Sequence, residues 1–104
     1  GNISIALSTG GASPALARKI REDLEIWLGG RYTGISELLM RLRPLVLALH
    51  HETRQNTSLF RSIVNSPLAE ALQRRDRQAC ESLLEELLPI ELHPYIMELL
   101  HDLA

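Results

Sequence analysis

The stretch Ser8-Thr9-Gly10-Gly11-Ala12-Ser13-Pro14 holds the residue types in this chain best suited to chemistry. A glycine turn that feeds a helix N-terminus points unpaired amides outward, and the helix dipole adds partial positive charge. Such a place accepts an anion, and Ser8, Thr9 and Ser13 add hydroxyls. On shape alone the turn reads first as a well-capped turn without a ligand. Gly-Gly-x-Ser-Pro is neither a phosphate-binding Walker loop nor a dinucleotide fingerprint.

The charges that follow run against the usual order. Arg18, Lys19 and Arg21 come early and Glu22, Asp23 and Glu25 late, the reverse of what a helix dipole favours. Arg18–Glu22, Lys19–Asp23 and Arg21–Glu25 are i,i+4 pairs in the weaker orientation, with the base N-terminal to the acid. They read either as a solvated, paired face or as positive charge gathered beside the turn for a polyanion.

Other candidates carry less. His50, His51, His93 and His101 include no i,i+4 pair, so no two fall on one helical face as metal ligands, and surface or capping roles fit them better. Cys80 is the lone cysteine and sits on an apolar stripe; it fits a reducing compartment and excludes an internal disulfide. Arg74, Arg75 and Arg77 read as a solvated helix end. No Ser-His-Asp or Cys-His arrangement is supported by spacing.

These residues need elements to position them. Ile3, Ile5 and Leu7 alternate with Ser4, Ala6 and Ser8, which predicts a half-buried strand. Ser13-Pro14 then opens a helix by capping and by proline's fixed φ. Its stripe of Leu16, Ala17, Ile20, Leu24, Trp27 and Leu28 ends at Gly29-Gly30. A second helix is predicted from about Gly34-Ile35-Ser36, with Pro44 kinking or breaking it. Residues 50–58 read as a polar joint or solvated stretch, and residues 59–64 continue the helical pattern. Short helices follow from Ser66-Pro67 to about Arg75, from an Asp76 cap to Pro89, and from His93-Pro94 through Leu103. The expected fold is therefore mostly α (α+β): one N-terminal strand, glycine turn and helix in residues 1–30, then a small bundle of short helices in 31–104.

With 104 residues the chain has room for one small domain or two helical subdomains. A net charge of −2 is too acidic for a general nucleic-acid binder. No apolar run approaches the roughly 20 residues that span a bilayer. Gly1 opens almost directly into the strand, which reads as a piece with sequence missing upstream.

The stretch Ser8 to Arg18, with its charged helix ending in Leu24-Glu25, resembles the siroheme synthases (the precorrin-2 dehydrogenase and sirohydrochlorin ferrochelatase family). The hallmark is Ser/Thr-x-Gly-Gly/Asn-x-Ser-Pro-x-Leu-Ala-Arg after a strand. Leu42-Arg43-Pro44-Leu45-Val46 and the later helices are similar in kind but less specific. The resemblance implies a cytoplasmic homodimer that oxidises precorrin-2 to sirohydrochlorin with NAD and, in bifunctional members, inserts ferrous iron. It implies that the NAD fingerprint and the catalytic aspartate lie upstream; Asp23, Asp76 and Asp102 do not match that position, so no catalytic residue, cofactor site or metal site is assigned here. It makes Thr9, Gly10, Gly11, Ser13 and Arg18 the residues that meet the substrate's carboxylates, and Ser13 a phosphorylation site. The competing expectation is a free-standing helical interaction module whose turn only caps a helix.

Overall fold

A computed structural model describes residues 3–104. Gly1, where the strand was expected to open, lies outside the described residues. The described chain has six α-helices: α1 (Pro14–Leu28), α2 (Thr33–Leu47), α3 (Thr53–Val64), α4 (Leu68–Gln73), α5 (Arg77–Leu87) and α6 (Ile96–Leu100), with a 3-10 segment over Ile90–Tyr95 leading into the last.

The expected N-terminal strand is not seen. Among the described residues there is no β-strand, and residues 3–9 form an irregular segment beside α1. The physical reason is that period-two alternation specifies two faces but supplies no ladder, and a strand's amides and carbonyls need a neighbouring chain. The segment nevertheless uses the predicted face. Ile3, Ile5 and Leu7 line a cleft of about 190 Å³ together with Leu24 and Leu28 of α1.

Helix boundaries follow local chemistry. Ser13 is extended at φ −169°, and its Oγ accepts from the Leu16 amide at 3.3 Å, with Pro14 at the first helical position. Gly29, at φ 43°, closes α1 as its amide donates to the Glu25 carbonyl. Pro44 does not end α2. The helix runs on to Leu47, and the Pro44 carbonyl still accepts from the Ala48 amide at 3.1 Å. With so little helix left beyond it, Pro44 forfeits one amide bond near a terminus that was due to end. Asp76 caps α5 as expected, its Oδ1 accepting from Ala79 N at 3.2 Å. The C-terminal helix is shorter than predicted, because a 3-10 segment takes the stretch through His93-Pro94.

Among the described residues, all that are buried belong to the bundle. Leu38 and Leu42 of α2, Ile63 of α3, Leu68 at the start of α4, Leu84 of α5 and Leu100 of α6 are fully enclosed. The stripe recurring from Ile35 through Val46 is the face that α2 presents to α3, α4 and α6. Gly34 brings α2 close to α4, since a Cβ there would lie 3.1 Å from Leu72 Cβ.

By contrast, no side chain of α1 is buried. With the preceding segment it forms an arm joined to the bundle through Gly29–Tyr32. Aromatic contacts brace the joint. The Arg31 guanidinium lies 4.9 Å from the centroid of the Trp27 ring, its Nε donates to the Trp27 carbonyl at 3.3 Å, and the Trp27 and Tyr32 rings are 5.8 Å apart.

Candidate functional site

The turn at the tip of the arm is built by two left-handed glycines. Gly10 and Gly11 have φ of 66° and 83°, values that side-chain-bearing residues rarely adopt. The Ala12 amide donates to the Thr9 carbonyl at 3.2 Å and closes the turn. Ser8 Oγ accepts from the Gly10 amide at 3.3 Å. A Cβ at either glycine would meet nothing within 4 Å. Their requirement is therefore backbone conformation, and the space above them is open.

This geometry brings four of the five expected site residues together. Thr9, Gly10, Gly11 and Ser13 form one short loop running into the N-terminus of α1, with Thr9 and Ser13 half-buried and the glycines exposed. Ser13 has two engagements: its hydroxyl caps the Leu16 amide, and its carbonyl accepts from Ala17 N at 3.1 Å. Thr9 Oγ1 reaches the Ser13 carbonyl only at 3.5 Å, so its hydroxyl is weakly held. Arg18 is exposed on the second turn of α1 and makes no ion pair among the described residues. The structure does not tie it to the turn.

Of the three i,i+4 pairs expected on α1, one forms. Lys19 Nζ lies 3.2 Å from Asp23 Oδ1, with both side chains exposed, so the contact contributes at most about 1 kcal/mol. Arg18–Glu22 and Arg21–Glu25 do not pair.

The remaining polar candidates take structural places. His93 Nε2 meets the Leu88 carbonyl at 3.0 Å. His101 lies 3.3 Å from Asp102 on the surface. Among the described residues no group of three His, Cys, Asp or Glu is placed to hold a metal. Cys80 is fully buried, and burial first, then the Asp76 carboxylate, push its thiol pKa up. Arg77 departs from expectation. It opens α5, pairs with Glu81 at 3.0 Å, and donates to the Ala104 carbonyl at 2.9 Å.

One residue makes long-range contacts that local sequence does not announce. Arg41 Nη1 donates to the carbonyls of Glu98 (3.4 Å), Leu99 (3.1 Å) and His101 (2.7 Å). It thereby gathers three carbonyls at the end of α6, of which that of Glu98 also accepts from the His101 amide at 3.3 Å. These carbonyls lie 57–60 residues away in sequence, beyond the reach of any local pattern, while Arg41 Nε pairs locally with Glu37 at 3.3 Å.

An arm tipped by a glycine turn and a capped helix, followed by a small helical bundle, is the class of structure defined here. Residues 1–25 match the family described as "Sirohaem biosynthesis protein central". Over most of its length the chain is similar to siroheme synthases. It is 32% identical to that of Pseudomonas entomophila over 80% of this chain and 18% of the relative. It is 32% identical to that of Gluconacetobacter diazotrophicus over 85% of this chain and 19% of the relative. The Azotobacter vinelandii enzyme is 33% identical over 78% of this chain and 18% of the relative. The chain is thus similar to one segment of the siroheme synthases and spans about a fifth of the length of the curated relatives it matches. No solved structure matches. No described helix is long and apolar enough to cross a membrane.

Proposed function

We propose that this chain is the dimerisation and helical part of an enzyme that oxidises precorrin-2 to sirohydrochlorin with NAD and can insert ferrous iron. Residues 1–30 are the segment that pairs protomers and contacts substrate, and residues 31–104 the helical support. The observation that carries this reading is the open turn of Gly10 and Gly11 at the capped N-terminus of α1, inside the stretch that matches the family. Tetrapyrroles of this pathway carry eight carboxylates. Outward amides at a helix start, the weakly held Thr9 hydroxyl, Ser13 and the unpaired Arg18 suit such a polyanion.

The described residues do not fit NAD. A dinucleotide site needs a strand of a parallel sheet feeding a glycine turn, and among the described residues there is no strand. No hydride-transfer step is therefore drawn through them; the chain's own contribution is to bind and orient substrate. Phosphate on Ser13 would place negative charge where the carboxylates bind, so it would inhibit.

Titrating the chain with sirohydrochlorin, followed by absorbance, tests the site. Arg18→Glu weakens binding roughly tenfold or more, the size of one charge-assisted hydrogen bond. Equal affinity in the variant would remove Arg18 from the site, and no binding by the parent chain would overturn the substrate reading.

A further inference from the structure

The first turns of α2 set three polar side chains side by side. Thr33, Ser36 and Glu37 stand at i, i+3 and i+4, so their Cβ atoms are neighbours about 5–6 Å apart on one face of the helix. That face is turned away from the core stripe of Ile35, Leu38 and Leu42. It would ordinarily open straight to water. Here Ile3 and Leu28 of the arm and Leu103 after α6 wall it in. A cavity of about 350 Å³ remains between arm and bundle, with Gly29 and Tyr32 completing its lining. That volume falls in the range of small-molecule sites, roughly 300–1,000 Å³.

The polar side of this cavity is made of acceptors. Neither the Thr33 nor the Ser36 hydroxyl makes a hydrogen bond among the described residues. Glu37 Oε1 accepts from Arg41 Nε at 3.3 Å, while Arg41 Nη1 is committed to carbonyls at the end of α6. The carboxylate is thereby oriented, and its Oε2 has no partner among the described residues. An ionised carboxylate only accepts, and hydroxyls accept as readily as they donate. A primary ammonium, with three donors and a positive charge, matches that set. The apolar wall suits a hydrocarbon or aryl body attached to it. An acidic head would face Glu37 and be repelled. The cavity is therefore unlike the glycine turn, which lies at the other end of α1, about 20 Å away along 15 residues of helix.

We infer that the cavity between arm and bundle binds a small amphipathic amine. Its ammonium group donates to Glu37, Thr33 and Ser36, and its apolar body lies against Leu28, Leu103 and Ile3. Because arm and bundle both line the cavity, the bound amine ties them together at the Gly29–Tyr32 joint. This site is independent of the substrate reading of the turn.

The test titrates 2-phenylethylammonium into the 104-residue chain, with 3-phenylpropionate as a control of similar size and opposite charge. Methyl NMR shifts at Leu28 and Leu103 report occupancy. So does the fluorescence of Trp27, the only tryptophan, whose ring lies 5.8 Å from that of Tyr32. The expected result is saturable binding of the ammonium with shifts at both leucines, and no binding of the carboxylate at the same concentrations. Glu37→Gln should weaken binding roughly tenfold, the loss of one charge-assisted hydrogen bond. Ser36→Leu fills the cavity and leaves the Glu37–Arg41 pair in place; it should abolish binding with the urea midpoint unchanged.

Binding of the carboxylate as well as, or instead of, the ammonium would overturn the choice of ligand. No saturable shift at Leu28 and Leu103, or parental affinity in either variant, would overturn the site.

Discussion

The arm and the bundle are written in similar residues and reach different ends. Both carry aliphatic stripes at helical spacing, yet the stripe of α2 buries Leu38, Leu42 and Val46, while α1 buries nothing. Helix α2 has α3, α4 and α6 to pack against; α1 has only a short extended segment beside it. The difference shows that an amphipathic pattern states how much face must be covered, and topology decides whether the same chain covers it. The open turn stands on the uncovered half, where a partner or a substrate has access.

The comparison can be broken most sharply by cavities. Leu38→Ala or Leu42→Ala in the bundle should cost about 3–4 kcal/mol in urea unfolding, because both are fully enclosed. Leu16→Ala in the arm should leave the same transition within about 0.5 kcal/mol at dilute concentration, since that residue is exposed. Comparable losses at the two sites would mean that arm and bundle unfold as one unit.

Close approach is the next lever. Gly34→Val should destabilise the bundle by about 2 kcal/mol, as its Cβ would sit 3.1 Å from Leu72 Cβ. Arg41→Ala should cost about 1–2 kcal/mol by removing the hydrogen bonds to three carbonyls at the end of α6 and the pair with Glu37. Amide exchange should rise in α6 before α3 or α4. In the arm, Ser13→Ala should cost about 1 kcal/mol of helix stability, read as faster exchange at Leu16 with the bundle unchanged.

The smallest effect concerns Cys80. Its thiol pKa is raised by burial, so the folded state keeps the proton where the unfolded state begins to lose it. The stability this gives is present below the ordinary thiol range and falls as pH rises through it toward the folded value. Urea midpoints near pH 7 and pH 9.5 should therefore diverge more in the parent than in Cys80→Ala, whose difference isolates the thiol's share.

Punctuation residues made much of this architecture legible. Ser13-Pro14, Gly29 and Asp76 each act through neighbours a few residues away, so the start of α1, its end and the start of α5 fall where sequence places them. The strand was misread because alternation is local and strand pairing is not. Pro44 does not break α2, since the cost of a proline depends on how much helix remains beyond it. The reach of Arg41 to the end of α6 is not legible, because those carbonyls are brought to it only by the fold. In the candidate site the glycine turn was legible from residue types. The failure of Arg18 and Arg21 to pair within α1 was not, since helical spacing allows those pairs without enforcing them.

The central claim is that a second copy covers the arm. Amide hydrogen exchange on the 104-residue chain, measured at micromolar and at near-millimolar concentration, tests it most directly. The account predicts that residues 3–28 become protected as concentration rises, while α2 to α6 exchange at the same rates throughout. Arm amides that exchange equally fast at both concentrations would contradict it.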